Sequence, residues 1–420
     1  MRKIRFAGWS LVVIGTLAWA AFSIADPSSA PPEQSTHLDR LPLVQLFARS
    51  SFPDFLAKAA ETGLRSDEVD PGTLYPDTGS HTAIEAGKAR DAERPLATFS
   101  LLSDIHVQKS DIESQKMFVK ALQDHYSIKP DADMLILNGD LTNGLQEDFD
   151  TLRTLLDQNR HAPVQATMGN HEYYRMWLHG DHYDYRSLGA AWSSMQAVDQ
   201  FTRFFSYDKP YHETSVRGIP FLFMSGEAYR DVDETIGEDA YLSEEQLDWL
   251  DERLAAHQAA GRLQTVADGE SSETGAEAGT TKTSPLLPAL VFLHQPLPGT
   301  LPGSTIERSV VQHERLRAIL DKYPFAVLFS GHTHWDLATT EQVWQGAFAA
   351  VGSASVRLVY GTDNQPLDPV KSESLVVVVY PSRIVVQGLD HGDGSRIGEK
   401  KIISLDNPKK QSRVAGDSPR

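Results

Sequence analysis

The stretch Leu96-Ala97-Thr98-Phe99-Ser100-Leu101-Leu102-Ser103-Asp104-Ile105-His106 joins an apolar run to an Asp-x-His pair. Leu96–Leu102 predicts a short buried strand, and the residues just past its end are a carboxylate and an imidazole. The same arrangement recurs along the chain. Met134–Leu137 leads into Gly139-Asp140, Val164–Met168 into Gly169-Asn170-His171-Glu172, Ala289–Leu293 into His294, and Ala326–Phe329 into Gly331-His332-Thr333-His334. Helical patterns lie between these runs. Ser110-Asp111-Ile112-Glu113 has the form of a capping box ahead of Met117, Val119, Leu122 and Tyr126; Glu147–Arg160 and the region of Glu307–Lys322 follow the same logic. Ser243 is placed to cap a helix whose Leu247, Leu250 and Leu254 share one face. Strands alternating with helices predict a layered α/β architecture. Beyond His334 the pattern turns β-rich, over Phe348–Val351, Val356–Tyr360, Leu375–Tyr380 and Ile384–Val386.

In open α/β sheets, sites form outside the carboxyl ends of strands, so the five loops can converge. They would bring together the carboxylates of Asp104 and Asp140, the Asn170 amide, and the imidazoles of His106, His294, His332 and His334, with His171 as a fifth imidazole. A single Asp-x-His or His-x-His arises often by chance. Five such motifs in order, each at a strand end, do not. Carboxylates with neutral imidazoles suit Mn, Fe, Zn, Co or Ni better than Ca. The donors exceed what one ion needs, so two divalent ions sharing an aspartate are expected, about 3.5–4 Å apart, a pair that stabilises the attacking and leaving oxygens of an in-line displacement.

The ordered set D-x-H, G-D, G-N-H-[DE], lone His and G-H-x-H resembles the calcineurin-like metallophosphoesterase superfamily over about Thr98–Trp335. The helix with Gln246-Leu247-Asp248-Trp249-Leu250 is also similar to the one before that family's lone histidine. The resemblance implies a two-sheet β-sandwich flanked by helices with the site at one edge. It implies one ion held by Asp104, His106, Asp140 and His334, and a second by Asp140, Asn170, His294 and His332, with Asp140 bridging. His171 would sit beside the scissile ester as the catalytic residue rather than as a ligand. The activity implied is hydrolysis of a phosphate ester by a hydroxide shared between the ions. A phosphodiester or nucleotide-type substrate is the leading expectation; a phosphomonoesterase or a non-catalytic metal-binding scaffold are the alternatives. Asn143 stands where purple acid phosphatases carry a tyrosine ligand, and His106 is present where they lack it. Leu141-Thr142-Asn143-Gly144 also departs from the Asp-Arg-Gly of protein Ser/Thr phosphatases.

Composition narrows the partners. Of 420 residues, 39 are Lys or Arg and 57 Asp or Glu, a formal net charge of −18. A chain this acidic is no general nucleic-acid binder, which needs a basic surface to displace counterions. There is no cysteine, which excludes disulfides, thiolate metal sites and cysteine nucleophiles. Arg2, Lys3 and Arg5 precede an uncharged run over Phe6–Ala25. Residues 1–25 therefore read as a signal peptide or as an uncleaved membrane anchor through 6–25, and either places the body outside the cytoplasm. Residues 26–94 read as an N-terminal extension, 95–405 as one large catalytic domain, 261–285 as a disordered loop inside it, and 406–420 as a flexible tail. Within the aromatic stretch Glu172–Arg230, which reads as an insertion, Tyr173, Tyr174, Arg175, Trp177, Tyr183, Tyr185 and Arg186 either pack against the body or form a wall for a substrate group, and His179 with His182 is a weak candidate for a further metal site.

Overall fold

Apolar side chains alternate across each central strand, and each strand is buried on both faces. In β1 (Ala97–Leu102), Ala97, Phe99 and Leu101 enter one cluster while Leu102 enters another. In β2 (Met134–Asn138), Met134 and Ile136 face the first cluster and Leu135 and Leu137 the second. This is the period-2 consequence of strand geometry, and it explains why such strands read as unbroken apolar runs. The computed structural model describes residues 94–189, 192–270, 286–305 and 308–405. The expected leader (1–25), nearly all of the extension (26–94) and the tail (406–420) lie outside the described residues.

Two six-stranded sheets are stacked. The first runs β14 (Ser395–Ser404), β13 (Arg383–Asp390), β12 (Glu373–Val379), β1, β2 and β3 (Val164–Thr167). The second runs β10 (Val343–Gln345), β11 (Ala349–Gly352), β9 (Ala326–Ser330), β8 (Ala289–Phe292), β7 (Ile219–Phe223) and β6 (His212–Val216). β1, β2 and β3 are mutually parallel, as are β7, β8, β9 and β11; the remaining pairs, β1–β12, β12–β13, β13–β14, β10–β11 and β6–β7, are antiparallel. Between the sheets Phe99 meets Phe221, Phe292 and Phe329 edge-on at 5.4–5.8 Å. Burying each such ring contributes about 1.5–3 kcal/mol. Helices α1 (Ile112–Ile128) and α2 (Gln146–Gln158) cover the outer face of the first sheet through Phe118, Leu122, Leu152 and Leu156. On the second, α4 (Glu244–Glu270) and α5 (His313–Leu320) contribute Leu247, Leu250, Leu254, Leu316 and Leu320. The result is the helix-flanked two-sheet sandwich expected. Among the described residues no helix is long and apolar enough to cross a membrane.

Several expectations are corrected. The cap of α1 is Asp111, which accepts from the N–H groups of Glu113 and Ser114, not Ser110. Glu172–Arg230 is not simply an insertion: after the small β4–β5 hairpin (Leu178–His179 with His182–Tyr183) it supplies α3 (Ser194–Phe205), β6 and β7, the last two being strands of the second sheet. Residues 261–270, expected to be loop, continue α4 instead; the rest of the loop expected over 261–285 lies outside the described residues. Val356–Tyr360 forms no strand, because its backbone is spent elsewhere, as described below.

Away from the strand ends, α1 is latched to the first sheet by a buried polar chain. The Asp124 carboxylate, paired with Lys120, accepts from His391 Nδ1 at 2.9 Å. Ser374 Oγ then lies 2.7 Å from both His391 Nε2 and His125 Nε2. Burial, followed by the nearby His391, pushes the His125 pKa down to about 3. The unfolded chain, with an ordinary histidine pKa of about 6.5, takes up a proton that the fold refuses. This contribution to stability is therefore complete above pH 6.5 and is lost as pH falls from there toward 3. Melting temperature measured between pH 7 and 5 should fall less steeply in His125→Gln than in wild type; equal slopes would show that His125 does not titrate on unfolding.

Candidate functional site

Each candidate residue follows the carboxyl end of a parallel strand: Asp104 and His106 after β1, Asp140 after β2, Asn170 and His171 after β3, His294 after β8, and His332 and His334 after β9. Both sheets thus deliver their loops to one edge. Asp104, His106, Asp140, His332 and His334 all have positive φ, between 43° and 68°. Left-handed backbone is uncommon outside glycine and gathers where surrounding structure enforces it at functional sites. Here the loops enforce one another. Asp104 N–H donates to the Gly139 carbonyl, His106 N–H to Asp140, Val107 N–H to Leu141, and Gly331 N–H to His294. The segment misread as a strand completes the frame: Val356 and Arg357 N–H donate to the carbonyls of Ser103 and Asp104, and Tyr360 N–H to His334. Gly169 is required by close approach, since a Cβ there would collide with the Asp140 carboxylate and the His294 ring.

Each aspartate ties one oxygen to the frame and presents the other. Asp104 Oδ2 accepts from Ser103 Oγ (2.6 Å) and His332 N–H (3.1 Å), and Asp104 Oδ1 lies 2.8 Å from His334 Nε2. Asp140 Oδ1 accepts from His171 N–H at 2.9 Å, and Oδ2 faces His294 Nε2 at 3.2 Å, His171 Nε2 at 3.8 Å and His106 Nε2 at 3.9 Å. His294 donates its Nδ1–H to the Asn138 carbonyl at 2.8 Å, and His334 donates its own to Leu358 at 2.6 Å, which turns both Nε2 atoms inward. Asp104, His106, Asp140 and His334 each offer an atom within 4.8 Å of the others, and so do Asp140, His294 and His332. Asp140 belongs to both groups.

The donors fit divalent ions. Asn170 Oδ1 and His332 Nε2 are buried without a hydrogen-bond partner, a costly state unless something else satisfies them. Burial would raise the Asp104 pKa, but His334 and His294 outweigh it and hold this carboxyl below its usual range. Burial would lower His294, yet Asp140 and Asp104 push it up to about 10. In effect a proton compensates the two carboxylates where a cation could, and metal binding would release it. His332 goes the other way, pushed well down by burial and then by His294 and the Arg308 charge, and stays neutral as a ligand must.

Around this core are groups whose roles spacing could not reveal. The Glu172 carboxylate accepts from four backbone N–H groups, those of Gly169, Asp140, Leu141 and Thr142, at 2.8–3.1 Å, and so clamps the second loop to the third. His171 is oriented by Asn143, whose Oδ1 is 2.9 Å from Nδ1, and by the Tyr174 ring stacked at 3.8 Å. Tyr173, Tyr174 and Trp177 are buried in the body, so most of the aromatic stretch is packing, while Tyr185 is 56% exposed. His179 binds the Ser187 carbonyl, and its ring lies 6.3 Å from that of His182; neither belongs to a group of three metal-binding side chains among the described residues.

A sequence profile of the calcineurin-like phosphoesterase family matches residues 97–336. No match is found among curated proteins. Solved structures with a similar backbone include a dimetal phosphatase from Danio rerio, 14% identical, covering 74% of this chain and all of that one, TM-score 0.48. A purple acid phosphatase from yellow lupin, Lupinus luteus, is 14% identical and covers 73% of this chain and 53% of the other, TM-score 0.46. The protein described as the anchor in the inner membrane complex of Plasmodium is 11% identical over 74% of this chain and 90% of its own, TM-score 0.41. With more than half its length matched and two groups of side chains that could hold a metal ion assembled at the strand ends, the chain belongs to the calcineurin-like phosphoesterases, metal-dependent phosphoester hydrolases.

Proposed function

We propose that the chain uses two divalent ions to hydrolyse a phosphodiester or nucleotide-type substrate outside the cytoplasm. The observation that carries the two-ion reading is the membership of Asp140 in both ligand groups. Asp104, His106, Asp140 and His334 would hold one ion, and Asp140, Asn170, His294 and His332 the other. Such ions supply Lewis acidity to the phosphoryl oxygens and acidify a bound water. The protein's own contribution is rigidity: loops cross-linked by backbone hydrogen bonds keep the donors from relaxing around the substrate. His171 Nε2 faces this edge and is placed to give a proton or hydrogen bond to the leaving oxygen. Arg308, near enough for its charge to act on His332 and Tyr360, adds a cation for an anionic substrate. Exposed Tyr185, stacked on Tyr183 at 5.8 Å, is a platform for an aromatic leaving group such as a nucleobase. The uncharged run Phe6–Ala25 behind Arg2, Lys3 and Arg5 supports export; the mass of the mature protein distinguishes cleavage from anchoring.

The test is a panel of phosphomonoesters, phosphodiesters and nucleotides, assayed after the stripped protein is reloaded with Mn, Co, Ni, Zn or Fe. We expect two ions per chain and kcat/KM higher for diesters than for matched monoesters. Preference for monoesters other than nucleotides would overturn the substrate, and one ion per chain the two-ion reading.

A further inference from the structure

The Asn170 amide oxygen is buried without a hydrogen-bond partner, and the reason it points where it does lies in a residue outside every motif. Glu238 follows the short 3-10 turn Glu234–Ile236, at a bend made by Gly237 with φ of 62°. Its carboxylate accepts from four donors. Oε2 takes Asn170 Nδ2 at 2.9 Å and the Tyr174 hydroxyl at 3.1 Å; Oε1 takes the Tyr229 hydroxyl at 2.8 Å and Arg230 Nη2 at 3.0 Å. Its backbone is fixed from the site as well, since Gln295, next to His294, donates Nε2–H to the Glu238 carbonyl at 3.2 Å.

We propose that Glu238 is a positioning residue for the site formed by Asp140, Asn170, His294 and His332, setting its affinity for a divalent cation. An amide side chain has two ends of opposite character. With Nδ2 bound to an anion, the carbonyl oxygen must face the other way, and in that direction it meets no donor from the chain. The anion behind the N–H group also polarises the amide and makes its oxygen a better donor to a cation, as carboxylates do behind metal-bound histidines. Glu238 touches none of Asp104, His106 or His334, so the effect is confined to one of the two ligand groups. The proposal rests on the reading in which Asn170 is a ligand. The competing role is structural, an Arg230–Glu238 ion pair that only fastens the surface.

The test is titration of the metal-stripped full chain with Mn(II) by calorimetry and with Co(II) followed by visible absorption. In Glu238→Gln an N–H group replaces an acceptor opposite the Asn170 amide. We expect one ion to bind as in wild type and the other about 10–100-fold more weakly, the usual effect of losing such a supporting contact. Melting of the stripped protein should be unchanged. Asn170→Ala should weaken the same ion, and the double variant should be no worse than Asn170→Ala alone, because both changes remove one interaction. Arg230→Ala should keep both ions. Wild-type affinity for both ions in Glu238→Gln, additive losses in the double variant, or an Arg230→Ala that copies Glu238→Gln would each overturn the proposal. If Glu238→Gln does not fold, Glu238→Asp, with the carboxylate withdrawn by one methylene, should show the same selective loss; failure of both to fold would assign Glu238 to the fold instead. A wild-type chain that binds one ion would refute the two-ion reading rather than this one.

Discussion

Asp140→Asn should leave a folded protein with phosphoesterase activity reduced by about 10³-fold or more and less than two ions per chain. The magnitude follows from charge. A metal cluster supplies several kcal/mol of transition-state stabilisation, and each 1.4 kcal/mol is tenfold in rate. Asp140 is the one side chain common to both ligand groups. Its Oδ1 is committed to His171 N–H, so Oδ2, at 3.2 Å from His294 and 3.9 Å from His106, is the atom offered to the site. Asparagine forces a choice. If its amide nitrogen takes the Oδ1 place, two N–H donors oppose each other; if it takes the Oδ2 place, a donor points at the cations. Either way a unit of negative charge is gone. The fold should survive, because φ of 52° at this position is one that asparagine adopts more readily than most residues. Metal analysis and turnover on one preparation decide the matter: near-wild-type turnover with two ions bound would sink the shared-ligand assignment.

The site was legible because its strands are buried on both faces. Met134–Leu137 and Ala326–Phe329 read as unbroken apolar runs, and Leu96–Leu102 as one interrupted only by the small polar Thr98 and Ser100, so the carboxylates and imidazoles that follow them mark strand ends. What could not be read depends on contacts distant in the chain. Glu238 reaches Asn170 across 68 positions, and nothing in the spacing of Gly237-Glu238-Asp239 distinguishes it from a surface turn. Val356–Tyr360 has the apolar content of a strand, yet its N–H groups serve the carbonyls of Ser103, Asp104 and His334. β7 was hidden by Pro220, since proline inside an apolar run argues against a central strand. The ladder with β8 begins at Phe221, one residue after the proline, so no hydrogen bond of that ladder is lost. The cap of α1 was off by one position because Ser110 and Asp111 are both good caps and only the tertiary entry angle chooses between them.

His171→Ala should keep both ions and slow cleavage of alkyl phosphoesters by about 10²–10⁴-fold, the range for loss of general acid–base catalysis. The retained metal follows from position. His171 falls in neither ligand group, and its Nε2 stays 3.8 Å from Asp140 Oδ2. What ties it to Asp140 is its backbone N–H, which alanine keeps. The size of the loss depends on the leaving group. An alkoxide is a strong base and must be protonated as it departs, whereas nitrophenolate needs no proton, so the defect should be small for nitrophenyl esters if His171 is an acid. Asn143 sharpens the test. With Asn143 Oδ1 accepting from Nδ1–H, Nε2 carries a transferable proton only in the imidazolium form, and a neutral amide does less than a carboxylate would to support that charge. If His171 works instead by binding the phosphoryl group, the defect should be the same for both kinds of ester. Comparing the variant's loss on an alkyl and a nitrophenyl diester therefore separates the two roles. Metal loss from His171→Ala would refute both, and would make this ring a ligand.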